Sequence, residues 1–184
     1  MRFYDRKEEL DKLQEINSLS ERMARMTVIT GRRRIGKTSL VLKAYENDVL
    51  LYFFVSRKTE AELCRDFADE ITQKLHLPIL GTPTRFADIF TYLMQLAKTR
   101  HFILMIDEFQ EFRRVNNSIF SDMQKIWDLN KSEAKINLIL CGFYISSHDR
   151  TIHRQQGASL WQANRLYQGG AVHAKRPQGD YRRS

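Results

Sequence analysis

The 184-residue sequence has little of several things. It has two cysteines, Cys64 and Cys141, 77 positions apart and in no metal-ligand spacing, so neither a disulfide framework nor a structural zinc site is indicated. Reduced thiols in a cytoplasmic protein are the expectation. No apolar run exceeds the seven residues 49–55, far short of the roughly 20 that a membrane helix needs, so no membrane partner is expected. The first ten residues, MRFYDRKEEL, are charged and hold no signal-peptide core. Residues 1–142 contain neither an internal repeat nor a low-complexity tract. What remains is ordinary for a globular chain. Hydrophobic residues make up 42% and charged residues 28%, which excludes wholesale disorder. The length suffices for one core without covalent staples.

The net charge of +8 is unevenly placed. Residues 1–142 carry 23 Lys and Arg against 20 Asp and Glu, whereas residues 143–184 carry 7 against 2. The basic excess that would point to nucleic acid therefore sits mainly in the last 42 residues.

Hydrophobic spacing predicts helices over 5–24, 39–46, 59–75, 84–98 and 118–129. Short continuous apolar runs predict buried strands over 26–30, 50–55, 102–106 and 137–141. Pro78, Gly81 and Pro83 punctuate a loop. Buried strands alternating with amphipathic helices imply an α/β fold of three layers, a parallel sheet with helices on both faces.

Between the first strand and the second helix lies Gly31-Arg32-Arg33-Arg34-Ile35-Gly36-Lys37-Thr38, a match to G-x-x-x-x-G-K-[ST]. Average residue usage puts a chance match at roughly 4 × 10⁻⁵ per position, under about one per cent over such a chain. The physics explains the pattern. Gly31 and Gly36 let the backbone turn tightly against an anion. The amides of the loop and of the following helical turn, Ser39 included, are aimed at phosphate oxygens. Lys37 is expected on the β- and γ-phosphates of ATP, and Thr38 on Mg²⁺. Arg32, Arg33 and Arg34 read either as a solvated basic loop or as contacts to phosphate, a protein partner or nucleic acid.

The strand at 102–106 runs into Asp107-Glu108. A carboxylate at a strand's C-terminal edge beside a phosphate loop suits a Walker B role, so Asp107 is the candidate for the metal shell. Glu108 is the candidate general base that activates water. Gln110 either orients that water or simply starts a helix. Phe109 and Phe112 read as packing. Arg113 and Arg114 read as a solvated helix face, with action on a neighbouring subunit's nucleotide as the alternative.

The segments FYDRKEELDKL, TVITGRRRIGKTSL, FILMIDEFQEF and INLILCG together resemble the archaeal-type ATPase family, grouped with the STAND and AAA-like P-loop NTPases. The resemblance covers about residues 2–142. Phe3, Arg6, Glu9 and Leu10 match its N-terminal F-x-x-R-x-x-E-L signature, which precedes the first strand and flanks the nucleotide. Lys37 and Thr38 fall on its Walker A positions, Asp107 and Glu108 on its Walker B positions. The resemblance implies ATP with Mg²⁺, a sheet ordered 5-1-4-3-2, and usually a further winged-helix or nuclease-like domain. Two departures stand out. Phe143 follows Cys141-Gly142 where the family typically has serine, and the family's fifth strand, helical lid and later arginine are not recognisable.

Residues 143–184 thus divide off as a basic tail behind an ATPase domain at 1–142 whose sheet is expected to be incomplete. The tail has no Glu, one Val, four Gly and three of the five His. It reads as a disordered basic extension, as poorly patterned folded structure, or as out-of-frame translation of a longer gene. His148, His153 and His173 with Cys141 match no zinc pattern. Ser146, Ser147 and His148 have no orienting partner for nucleophilic chemistry. Trp161, Tyr167 and Tyr181 among the arginines would suit stacking on single-stranded nucleic acid. A four-strand sheet would leave an open edge and bare helix faces, which implies marginal stability or association with a second copy or another protein. The functional expectation is Mg-dependent ATP hydrolysis driving conformational change. The alternatives are a nucleotide-binding module without turnover, a small-molecule kinase, disfavoured by the Asp-Glu pair, and a basic nucleic-acid binder.

Overall fold

The computed structural model describes residues 6–31, 34–77 and 81–142, and the backbone of 164–169. The elements in chain order are α1 Lys7–Ser20, β1 Arg25–Gly31, α2 Lys37–Ala44, β2 Leu50–Phe54, α3 Glu60–Leu75, α4 Phe86–Leu96 and β3 Phe102–Asp107. A single 3-10 turn at Phe109–Glu111 leads into α5 Phe112–Val115, then α6 Ser118–Asn130, β4 Ile136–Gly142 and β5 Asn164–Gly169. Every strand pairing is parallel, and the sheet order is β2-β3-β4-β1-β5.

Period-two alternation sorts the strand side chains between two cores. Leu51 and Phe53 of β2, Phe102, Leu104 and Ile106 of β3, and Ile136, Leu138 and Leu140 of β4 pack with α3, α4 and α6. Ile103 and Met105 of β3, with Ile139 and Cys141 of β4, face Leu13, Leu40, Val41 and Tyr45 of the α1 and α2 layer. The three expected layers are therefore present. The strands β3 and β4 are central and buried on both faces, which is why 102–106 and 138–141 read as unbroken apolar runs.

Local chemistry fixes the helix starts. Thr59 and Glu62 form a reciprocal capping box at the start of α3. Glu60 uses both carboxylate oxygens, accepting from the Phe86 backbone N–H at 2.8 Å and from Asn116 Nδ2 at 2.8 Å. One side chain thereby ties the starts of α3 and α4 to the end of α5. On the other face, Tyr45 donates its hydroxyl proton to the Leu13 carbonyl at 2.8 Å and accepts from Asn137 Nδ2 at 3.2 Å, joining α1, α2 and β4. Burial holds the Tyr45 phenol well above its ordinary range, so it stays a neutral donor.

Two expectations are corrected. The second helix begins at Lys37 rather than Ser39, so the Walker A lysine and threonine form its first turn. The sheet also does not stop at four strands. The strand β5 pairs in parallel with β1, with a register shift between Val28 and Ile29. This covers the β1 edge that was expected to stay open and yields the 5-1-4-3-2 order implied by the resemblance. The segment NRLYQG escaped notice because it has no alternating apolar pattern. An edge strand is held chiefly by backbone hydrogen bonds, which place little demand on side-chain pattern. The tail residues singled out for zinc, nucleophile or stacking roles lie outside the described residues or have only their backbone described. Among the described residues, no helix is long and apolar enough to cross a membrane.

Candidate active site

The C-terminal ends of β1 and β3 meet the start of α2, and the chemistry gathers there. Thr38 Oγ1 donates to Asp107 Oδ2 at 2.6 Å, closing a separation of 69 residues. Asp107 is 6% exposed. Its other oxygen, Oδ1, accepts from the Glu108 backbone N–H at 2.9 Å. A third donor, the Tyr52 hydroxyl, reaches Asp107 Oδ2 at 3.1 Å. The threonine uses its hydrogen on Asp107, which keeps the Oγ1 lone pairs for a cation.

The loop itself is set by backbone conformation. Arg34 has φ 65° and Gly36 φ 80°, both left-handed, on either side of Ile35. At Gly36 this conformation favours glycine, because a Cβ there is strained. Gly36 is the N-cap of α2, and its carbonyl accepts from the Leu40 N–H. The N–H groups of Lys37, Thr38 and Ser39 therefore belong to the first helical turn, which has no acceptors within its own helix. Lys37 Nζ donates across the loop to the Gly31 carbonyl at 3.0 Å. Arg6 Nη2 donates to the Ile35 carbonyl at 2.7 Å, so the N-terminal signature arginine lies against the loop. Leu10 of the same signature packs on the α1–α2 core. Lys37 and Thr38 are half-buried, while Arg34 and Ser39 are exposed. Arg32, Arg33, Phe3 and Phe143 lie outside the described residues.

Past Asp107 the chain reverses sharply. Glu108 takes φ 53°, an uncommon conformation for a residue with a side chain. Its carboxylate accepts from Gln110 Nε2. The Gln110 side chain lies against Gly142 at the end of β4, where an added Cβ would stand 2.3 Å from Gln110 Oε1. A side chain at 142 would displace the flexible end of Gln110. Gln110 lies in the 3-10 turn, in keeping with the helix-start reading, and its amide also reaches Glu108. Phe112 is buried and Phe109 packs on it and on Phe120 at centroid distances of 5.9 and 5.1 Å. Arg113 and Arg114 are exposed, and Arg114 pairs with Glu111 at 3.3 Å.

Tyr52 is the residue that sequence reasoning missed. The only signal was a polar-tipped aromatic inside the apolar run LLYFF. Burial pushes its phenol above the usual range, and the Asp107 charge adds to the effect. Burial, followed by the Asp107 charge, likewise raises the Cys141 thiol. Burial pushes the Cys64 thiol up to about 12. Both cysteines are free, buried and unreactive in character. Among the described residues, no group of three or more His, Cys, Asp and Glu side chains is placed to hold a metal ion.

Comparison with known proteins bears on the family and the fold. The family described as an ATPase domain predominantly from Archaea matches residues 3–164. The chain belongs to this family. An uncharacterised protein of Methanocaldococcus jannaschii is 31% identical over 144 residues, covering 78% of this chain and 30% of that protein. The chain thus spans under a third of that relative's length. Two solved structures share the fold of this ATPase domain. Cdc6p from Pyrobaculum aerophilum has a TM-score of 0.55 at 18% identity, covering 84% of this chain and 44% of that one. A Walker-type ATPase of Pyrococcus abyssi has a TM-score of 0.54 at 21% identity, covering 76% and 45%. At these identities the likeness establishes the shared α/β P-loop core. Nucleotide binding by an ATPase core is the family-level function.

Proposed function

We propose that this domain binds ATP with Mg²⁺ at the β1–α2 loop and hydrolyses it, the cycle serving to change conformation. The observation that carries the reading is the 2.6 Å contact between Thr38 and Asp107, which unites the two motifs. Hydroxyl and carboxylate oxygens are the hard donors that Mg²⁺ takes, so the residues present fit the ion. Bound Mg²⁺ would neutralise charge on the β- and γ-phosphate oxygens.

The chain's own groups take the remaining roles. The amides at the start of α2 and the Lys37 ammonium hold phosphate oxygens, with the helix dipole aiding them. Gly31 and Gly36 admit the phosphates, Ile35 and Arg34 shape the loop rim, and the charges of Arg32 and Arg33 are proposed to favour phosphate. Thr38 and Asp107 orient the metal shell. Glu108 accepts a proton from the attacking water, and Gln110 sets the carboxylate's direction. The nucleotide unit is assigned to residues 1–142, and the backbone of β5 from the segment beyond adds the outer strand of its sheet. Partners beyond ATP are proposed as a second copy or another protein, and nucleic acid through the basic tail. A cytoplasmic location is proposed with them.

Replacing Glu108 with Gln is expected to leave ATP affinity within about twofold and to lower turnover by roughly a hundredfold or more, the usual size of a general-base contribution. Single-turnover hydrolysis and equilibrium binding measured on the same preparations check this. Unchanged turnover removes Glu108 from the base role. A second reading, binding without turnover, rests on Phe143 standing where the family typically has serine and on a helical lid that is not recognisable in the sequence. It requires wild-type turnover to be as low as that of the Glu108→Gln variant.

A further inference from the structure

Tyr52 has no part in the phosphate loop or in the acidic pair, yet it is held on the metal side of the site by two independent contacts. Its backbone N–H, on the outer side of the edge strand β2, donates to Glu70 Oε1 of α3 at 3.1 Å. Its hydroxyl donates to Asp107 Oδ2 at 3.1 Å, the same oxygen that accepts from Thr38. The register explains the reach. Tyr52 stands beside Met105 in the β2–β3 ladder, two residues before Asp107, and on the face of the sheet that bears α2. Its neighbours Leu51 and Phe53 turn to the opposite core.

Resting on the nucleotide reading above, we infer that Tyr52 is a positioning residue for Mg²⁺: its hydroxyl fixes the rotation of the Asp107 carboxylate so that the Thr38–Asp107 pair is ready for the ion. A carboxylate at the end of a strand rotates about its last bond. The Glu108 N–H restrains Oδ1, and Thr38 restrains Oδ2 from the α2 side. Tyr52 restrains Oδ2 from the β2 side. Thr38 has to serve the cation as well as Asp107, so the tyrosine is the Oδ2 donor with no second duty. Mg²⁺ demands near-ideal octahedral geometry and tolerates misdirected ligands poorly. Partners that orient a metal ligand commonly affect metal affinity tenfold or more.

The test is ATP binding by titration calorimetry in Mg²⁺ and in EDTA, for wild type and Tyr52→Phe. The substitution removes one oxygen, and the nucleotide-free melting temperature in EDTA reports whether the fold is kept. The expected result is a Mg²⁺-dependent gain in ATP affinity that falls roughly tenfold in Tyr52→Phe, with affinity in EDTA unchanged within about twofold. In an Asp107→Asn background the Tyr52→Phe change is expected to add nothing, because its action runs through that carboxylate. An unaltered Mg²⁺ gain overturns the inference. So does an equal loss with and without Mg²⁺, which marks a merely structural role, or an effect of full size in the Asp107→Asn background. Wild-type protein that binds ATP in neither buffer overturns the nucleotide reading itself, and this inference with it.

Discussion

Lys37→Ala is expected to weaken ATP binding by two orders of magnitude or more while leaving the fold intact. The ammonium is the one cation that the loop motif aims at both the β- and γ-phosphates. A hydrogen bond to a charged group is worth about 1.5–3 kcal/mol, and two of them correspond to a loss of roughly a hundredfold upward. In the structure Lys37 Nζ lies across the loop on the Gly31 carbonyl, and the side chain is only half-buried. Its removal opens no core cavity, so the melting temperature without nucleotide should stay within a degree or two. Titration calorimetry reads the first quantity and a thermal scan the second. A variant that binds ATP as well as wild type removes the phosphate role from Lys37.

The second large effect is one of stability. Phe86 is the first residue of α4 and 1% exposed. Its ring lies 4.7 Å from Phe112, 5.8 Å from Phe67 and 6.0 Å from Phe90, centroid to centroid. Phe67 in turn stacks on Phe53 of β2 at 4.2 Å. This chain of rings connects α3, α4 and α5 to the sheet. Truncating a buried phenylalanine costs about 3–5 kcal/mol, so Phe86→Ala should lower the melting temperature by about 10 °C at this chain length. The effect should reach the site as well, because Phe112 follows directly on the turn that carries Glu108 and Gln110. A Phe86→Ala protein with an unshifted melt contradicts this account of the core.

The link from sequence to site was legible where the chemistry is local. The Walker A motif spans eight consecutive residues, and the first Walker B acid ends a strand whose five preceding residues are apolar because both its faces are covered. Arg6 belongs to the signature that the resemblance sets beside the nucleotide, and its guanidinium rests on the Ile35 carbonyl of the loop. Less was legible where partners are far apart in sequence and neither carries a motif. Tyr52 reads as one more aromatic in a buried strand, and only the β2–β3 register brings it to Asp107. Glu60 reads as a first-turn acid of α3, favourable by the helix dipole alone, whereas it also holds the start of α4 and the end of α5. The strand β5 was hidden for a different reason. Its pairing with β1 is a backbone matter, and its sequence shows neither period. The 3-10 turn and α5 are too short for any periodicity to register.

The central claim is that the two motifs assemble into a nucleotide site. The most direct measurement is the melting temperature of the full chain with and without Mg-ATP, with Lys37→Ala as control. Ligand at a hundred times its Kd adds about 2.7 kcal/mol, which corresponds to a rise of roughly 5 °C or more at this size. The account predicts that rise in wild type and its loss in Lys37→Ala. A cooperative melt that Mg-ATP does not move, or one that moves equally in the variant, would contradict it.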